Sequence, residues 1–518
     1  MLQREQGPPP CGGILATDTG FGKTYVIAAL VKQHQLWPTL IAVPKDLVPQ
    51  WITVLNAAGF QSDLRAVVEG KHAPSANSSK LVLTTVSLLQ TKPGDLIHRS
   101  WGRVIVDEAH VIRNPRTTLS RVLRGLRAHA RWAVTATPVQ NKRSDAVALA
   151  KFVGVIIRED DTLLREIMYI GDPRGLQEQL PPLRVQTVVL EHEAGSEAAS
   201  VCAELHQRHR EAVCVAAVAD VATALDSDSG GGGSSGSGSE DGDDEAQLTQ
   251  AGSEATDDGP SSGSWQAAVW SALKSAAAGA AHAGVRDTFA APGNSRWELQ
   301  MHCLMAATHP AIYFESLVNK GGEAALDHAE SAQRGSASPG VKVAYIVDDV
   351  LCHPEDACIV FYEWNAEAKL LEAELRVRSA CVWRYHGGMT SGERANALME
   401  FQDQAAALRA PRGPDDMQQG CVLLAQLRCA ACGLNLQCAS RAYLLRPHWN
   451  PAVEKQAIGR LYRSGQERPV FVSRLVLRGT LDEVCLARQA SKLNCAAEVL
   501  GDDSMRRLLL DVSSASQT

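Results

Sequence analysis

No apolar run in this 518-residue sequence approaches the roughly 18 residues that a membrane-spanning helix needs. The opening Met1-Leu2-Gln3-Arg4-Glu5-Gln6 lacks the apolar stretch of a secretory signal. Aromatic residues are scarce, at 5%. Cysteine numbers 13, an odd count without the spacing of a disulfide framework, and reads as the reduced thiols of a cytosolic or nuclear compartment. Cys429-Ala430-Ala431-Cys432 has Cys421 and Cys438 nearby but no second paired knuckle, so structural zinc is not expected. No His/Asn arrangement singles out a cysteine nucleophile. No block of basic residues marks an import signal. What is present is ordinary for a globular chain of two to four domains: 45% hydrophobic and 21% charged residues.

The formal net charge of −7 is unevenly placed. Residues 226–264 hold ten Asp and Glu and no Lys or Arg, so the remainder of the chain is slightly basic. That permits contact with a phosphate backbone without demanding it. The same stretch is rich in Gly and Ser, with Leu248 its only large apolar residue. It cannot bury enough surface to offset chain entropy and is expected to be disordered.

On either side of this stretch the pattern is α/β. Short apolar runs recur at 13–16, 40–43, 81–84, 104–106 and 133–135, and again at 358–361, 421–424, 442–445 and 470–472. Runs of strand length without alternation fit a parallel sheet covered by helices on both faces. The expected organisation is a first lobe over 1–175, a helical inter-lobe region over 176–340 and a second lobe over 341–490. A tail over 491–518 follows.

Two motifs carry chemistry. Thr17-Asp18-Thr19-Gly20-Phe21-Gly22-Lys23-Thr24 follows a predicted strand and opens a predicted helix, Tyr25 to His34. Gly20 and Gly22 let backbone N–H groups approach phosphate oxygens, and the helix N-terminus adds partial positive charge. Lys23 would reach the outer phosphates, and Thr24 would offer a hydroxyl to Mg²⁺. Thr17 stands where the general phosphate-loop pattern has Gly. Further on, Val104-Ile105-Val106-Asp107-Glu108-Ala109-His110 sets two carboxylates at the end of an apolar strand, where open parallel sheets bind ligands. Asp107 would hold Mg²⁺, Glu108 would orient or deprotonate water, and His110 could link the site to the segment near 135.

Taken in order, these segments resemble the Swi/Snf-type helicase-related ATPases of helicase superfamily two, over about residues 1–175 and 341–490. The resemblance rests on Gly12-Gly13-Ile14-Leu15 with the phosphate loop, Leu40 to Pro44 with Pro49-Gln50-Trp51, and Leu83-Thr84-Thr85-Val86-Ser87-Leu88. It continues through Asp107-Glu108-Ala109-His110 and Thr135-Ala136-Thr137-Pro138-Val139-Gln140-Asn141. In the second half it takes in Tyr385-His386-Gly387-Gly388, Gly433-Leu434-Asn435-Leu436 and the run from Trp449-Asn450-Pro451 to Gln456, Arg460, Arg463 and Gly465-Gln466. Arg463-Ser464-Gly465-Gln466 departs from the ending usual in RNA-type DEAH helicases. Met301-His302-Cys303 through His309-Pro310 is similar to a segment of the RING-bearing DNA-repair translocases and helicase-like transcription factor. Residues 311–351 contain no Cys, so no RING and no ubiquitin-conjugating enzyme partner are expected.

The resemblance implies two RecA-like lobes binding ATP and Mg²⁺ between them, with hydrolysis stimulated by double-stranded DNA. Asp107, Glu108, Arg460 and Arg463 would be catalytic. Gly20, Gly22, Lys23, Thr24 and Gln456 would bind nucleotide, with Thr24 and Asp107 serving the metal. His110, Thr135, Thr137 and Gly433 would couple the lobes, and Thr84, Thr85, Asn435 and Trp449 would meet DNA. If helical, the Arg460–Arg463 segment presents both guanidiniums on one face. Trp51 and Trp449 could stack on bases, but burial at a motif edge is the stronger expectation, and His386 reads as part of a turn. The expected function is a duplex-DNA translocase or remodeller of nucleosomes or other DNA-bound proteins, nuclear by resemblance. The family's adenine-recognition Gln segment lies further upstream than the eleven residues before Gly12 allow, so truncation is suspected. The second reading is therefore a nucleic-acid-bound scaffold with impaired ATP turnover.

Overall fold

The structure, a computed structural model, describes residues 1–17, 20–67, 79–157, 162–171, 180–228, 296–318, 340–409, 419–430 and 434–500. Asp18, Thr19, Gly433, Cys432 and the acidic stretch from 229 to 264 lie outside the described residues. Residues 226–228, counted above with that stretch, belong to the helix Glu197–Asp228.

The first sheet contains β1 (Cys11–Ala16), β2 (Thr39–Val43), β3 (Leu64–Val67), β4 (Leu81–Thr85), β5 (Ser100–Asp107), β6 (Arg127–Thr135) and β7 (Met168–Ile170). Their order is β3-β4-β2-β5-β6-β1-β7, with every neighbouring pair parallel. The second sheet contains β8 (Leu183–Leu190), β9 (Ala357–Tyr362), β10 (Cys381–Tyr385), β11 (Cys421–Gln426), β12 (Arg441–Leu444) and β13 (Val470–Leu477), in the order β10-β11-β9-β12-β13-β8. It too is all parallel. β8 lies where a helical inter-lobe region was expected, and it pairs along its whole length with β13.

Alternate residues of each central strand feed two separate cores. In the first lobe Ile14, Leu40, Ala42, Val104 and Val106 face one core, while Leu15, Ile41, Val43, Ile105 and Val134 face the other. The second lobe divides in the same way, Ile359 and Leu423 on one face and Val360 and Leu424 on the other. Burial on both faces is why these strands read as unbroken apolar runs.

The glycine pair that opens the phosphate-loop strand is demanded by its neighbours. A Cβ on Gly12 would stand 1.9 Å from the Arg131 carbonyl oxygen of β6, and one on Gly13 would stand 2.6 Å from that of Ile167. At the far end of the lobe Glu5, 3% exposed, accepts hydrogen bonds from Arg103 Nε (2.6 Å) and Trp132 Nε1 (2.8 Å) and pairs with His34 Nδ1 (2.6 Å). This carboxylate ties the helix Leu2–Gln6 to β5, β6 and the end of the helix Lys23–Gln33.

The helix Leu481–Leu500 leaves β13 and crosses to the first lobe, where Ala496 and Val499 join its core. Arg165 Nη2 donates to the Glu498 carbonyl at 3.2 Å. Residues 194–313 form a separate compact unit. Within it the helices Glu197–Asp228 and Arg296–Ala306 pack together around Cys202, Leu205, Cys303 and Leu304.

Candidate nucleotide site between the two lobes

The phosphate loop links β1 to the helix Lys23–Gln33, which begins two residues before the expected Tyr25. Gly20 and Gly22 adopt φ of 86° and 71°, left-handed values that favour glycine. Lys23 Nζ donates to the Thr17 carbonyl at 2.9 Å, across the loop it closes. Thr24 follows it, half-buried.

β5 lies two strands from β1 and ends at the acidic pair. Asp107 is 5% exposed. Its Oδ2 accepts the indole N–H of Trp51 at 2.8 Å, and its Oδ1 accepts the Glu108 backbone N–H at 2.9 Å. Burial pushes Asp107 up to about 6 and the Glu108 charge adds to the rise, against the pull of Trp51 and Lys23. Glu108 sits in the left-handed region, with φ 49°. Burial would raise it as well, but His110, Lys23 and Arg460 outweigh that and hold it down at about 2. His110 Nδ1 stands 3.3 Å from Glu108 Oε2. The pair thus divides into a firmly ionised Glu108 and an Asp107 whose charge calls for a nearby cation. A buried carboxylate of this kind, with the Thr24 hydroxyl in the first turn of the helix Lys23–Gln33, fits the oxygen ligands that Mg²⁺ prefers.

The hydrogen-bonded path from the acidic turn to the segment 135–141 does not use His110. Arg113 Nη1 donates to Gln140 Oε1, Gln140 Nε2 to Thr137 Oγ1 (3.2 Å), and the Thr137 backbone N–H to Thr135 Oγ1 (3.1 Å). Asp145 then receives the backbone N–H groups of Gln140 and Asn141 at 3.1 and 2.7 Å. Arg113 and Asp145 were not singled out from sequence, whereas Gln140 belongs to the segment Thr135 to Asn141 that was. Arg113 is an ordinary exposed arginine by position, and only the fold sets it over Gln140.

The second lobe supplies the opposing wall. The helix Pro451–Ile458 ends before Arg460, so Arg460 and Arg463 lie on the turn after it and not on a helical face. Arg460 is nonetheless 9% exposed and close enough to depress Glu108 electrostatically. A Cβ on Gly20 would meet Arg463 Cβ at 2.9 Å, so the second-lobe turn closes directly on the phosphate loop. Gln456 is buried on the preceding helix. Gln466 clamps the turn. Its Nε2 donates to the carbonyls of Leu461, Ala439 and Gln437 at 3.0, 3.1 and 3.2 Å, and its Oε1 accepts from the backbone of Glu467 and Arg468.

The residues expected to meet DNA fall into two groups. Thr84 and Thr85 are fully buried, and Thr85 Oγ1 caps the helix Val86–Thr91 by accepting from Leu88 N at 3.2 Å. Neither side chain reaches the surface in this arrangement. Asn435 is exposed. Trp449 is half-buried under the Arg488 guanidinium, 5.1 Å from its ring, and its carbonyl accepts from Lys492 Nζ at 2.9 Å. Trp51 is fully enclosed and cannot stack on a base.

Residues 1–169 match the SNF2-related domain, and residues 341–465 match the helicase conserved C-terminal domain. The chain thus carries a SNF2-related domain followed by a helicase C-terminal domain, in the order expected, with an all-parallel sheet in each lobe. It is similar to the "Probable global transactivator" of Orgyia pseudotsugata multicapsid polyhedrosis virus, 26% identical over 96% of this chain and 89% of that protein. It is also 26% identical to "DNA repair protein RAD5B" of Arabidopsis thaliana, over 91% of this chain and 41% of that one. A third relative is the Arabidopsis thaliana "Putative SWI/SNF-related matrix-associated actin-dependent regulator of chromatin subfamily A member 3-like 1", 26% identical over 89% and 56%. The chain spans about half the length of these two plant relatives.

Proposed function

We propose that this chain is a Mg²⁺-dependent ATPase, stimulated by duplex DNA, that moves along the duplex and shifts or strips what is bound to it. The observation that carries the reading is the meeting of Lys23, Asp107 and Glu108 of one lobe with Arg460 and Arg463 of the other around the phosphate loop. Lys23 and the loop N–H groups bind the phosphates, and Thr24 and Asp107 hold Mg²⁺, which neutralises phosphate charge when bound. Glu108, ionised at neutral pH, orients the attacking water. Arg460 and Arg463 stabilise charge on the transferred phosphoryl group, and because they come from the second lobe, hydrolysis requires the cleft to be closed.

Asn435 and Trp449 are the candidate contacts to DNA on the second lobe, and the Thr84–Thr85 end of β4 supports the first-lobe surface from beneath. Contacts to the phosphate backbone make binding salt-sensitive and sequence-tolerant. The names of the plant relatives favour work in DNA repair or chromatin, and hence in the nucleus.

The test is ATP hydrolysis with no nucleic acid, with duplex DNA and with RNA, for the wild type, Lys23→Ala and Arg463→Ala. The expected result is stimulation by duplex DNA that both substitutions abolish. DNA binding without hydrolysis would instead favour the scaffold reading, and stimulation by RNA alone would overturn the choice of duplex DNA.

A further inference from the structure

Three tryptophans of the first lobe are buried, and each indole N–H has a partner. Trp101 donates to the Leu96 carbonyl (3.0 Å) and Trp132 to Glu5 (2.8 Å), neither of them a residue of the acidic pair. Trp51 differs, since its N–H goes to Asp107 Oδ2. It lies 56 residues earlier in the chain, on the helix Val48–Ala57 that follows β2, the strand paired with β5. It is 1% exposed and held among Ile27, Val31, Ile41 and Leu83. Packing of this density leaves the ring no second position.

A carboxyl group turns over a broad range about its last bond unless hydrogen bonds hold it. Asp107 receives one N–H on each oxygen, from Glu108 and from Trp51. The Glu108 N–H is local and moves with the acidic turn, whereas the Trp51 N–H comes from a separate, rigid element. Each oxygen keeps a further lone pair for a cation or a water on that cation.

We propose that Trp51 is a positioning residue for Mg²⁺-bound nucleotide. Its indole N–H fixes the rotation of the Asp107 carboxylate, so that the remaining lone pairs face the phosphate loop. The inference rests on the nucleotide-site reading above and assigns Trp51 a function beyond packing. Partners of this kind, one bond behind a metal ligand, typically change metal affinity or activity by about 10–100-fold when removed.

The experiment uses the full chain and Trp51→Phe, which keeps an aromatic ring and removes the donor. Binding of a fluorescent ADP analogue is followed as Mg²⁺ is titrated, and again in EDTA. The expected result is a Mg²⁺ midpoint raised by about 10–100-fold, with affinity in EDTA unchanged and kcat lowered alongside. In an Asp107→Asn background the Trp51→Phe effect on the midpoint should vanish. An unmoved midpoint, or an equal shift with Asp107 already replaced, overturns the proposal and leaves the nucleotide site standing. Absence of Mg²⁺-dependent binding by the wild type overturns the site reading and this proposal with it. If Trp51→Phe folds poorly, 3-benzothienylalanine at position 51, which exchanges N–H for sulfur at nearly the same shape, makes the same comparison.

Discussion

Gly20 and Arg463 touch across the cleft between the lobes, the glycine on the phosphate loop and the arginine on the turn after the helix Pro451–Ile458. The contact is backbone against side-chain root. Gly20→Ala adds a methyl group at 2.9 Å from Arg463 Cβ, at a residue whose φ is 86°. The left-handed strain costs about 1–2 kcal/mol, and relief of the clash pushes the lobes apart. ATP hydrolysis should fall by far more than this small loss of melting stability implies. Steady-state hydrolysis measured beside thermal unfolding checks the difference.

Arg460→Ala should lower kcat by roughly 10³-fold if the guanidinium neutralises transition-state charge. Nucleotide affinity should change only a few-fold, because phosphate binding resides in the loop. Arg460→Lys should recover little, since a point charge does not replace a planar fork. Fluorescent-nucleotide binding and single-turnover hydrolysis separate the two effects. A loss of affinity equal to the loss of rate would place Arg460 in ground-state binding instead.

Glu5→Gln should destabilise the chain by about 3–5 kcal/mol at pH 7, the cost of unbalancing a buried ion pair. Burial would raise the Glu5 carboxyl, but Arg103, His34 and Trp132 outweigh it and hold the group below its ordinary value. A lowered folded-state value stabilises the protein above the unfolded value near 4.5. That stability is lost as pH falls through the lower, folded value. The penalty of the substitution should therefore shrink below pH 4. Thermal melts of both proteins from pH 3 to 8 give the answer.

Thr85→Ala and Asn435→Ala should part company. The first removes a helix cap and costs about 1 kcal/mol of stability. The second alters an exposed side chain and should leave melting unchanged while weakening DNA stimulation. Salt-dependent DNA binding, measured with the melts, distinguishes them. A stability loss for Asn435→Ala, or a direct DNA-binding defect in Thr85→Ala without one, would reverse the two roles.

The strands that could be read from sequence are the interior ones. The nine apolar runs became β1, β2, β4, β5, β6, β9, β11, β12 and β13, each flanked by strands on both sides. The four not read as strands, β3, β7, β8 and β10, are the four sheet edges. An edge strand is covered less completely: Leu183–Leu190 mixes buried, half-buried and exposed positions, and Cys381–Tyr385 mixes buried with half-buried ones. Their pattern therefore lacks the unbroken apolar run that two covered faces produce. The site divides in a similar way. The loop glycines, Lys23 and the acidic pair announce themselves because their chemistry depends on local spacing. Arg113 has no such spacing, and although Trp51 and Gln466 fall within recognised segments, their hydrogen-bond partners, Asp107 and the carbonyls of Gln437, Ala439 and Leu461, are set by the fold and not by local spacing.

Ala496 and Val499 complete the interior of the first lobe, yet they are among the last described residues of the chain. During synthesis the first lobe emerges from the ribosome with that part of its interior uncovered. The residues that fill it follow over 300 positions later, as the Arg165–Val499 contact illustrates. At ordinary rates of elongation the wait is on the order of tens of seconds. Until then the apolar seat of Ala496 and Val499 on the first lobe stays open to solvent.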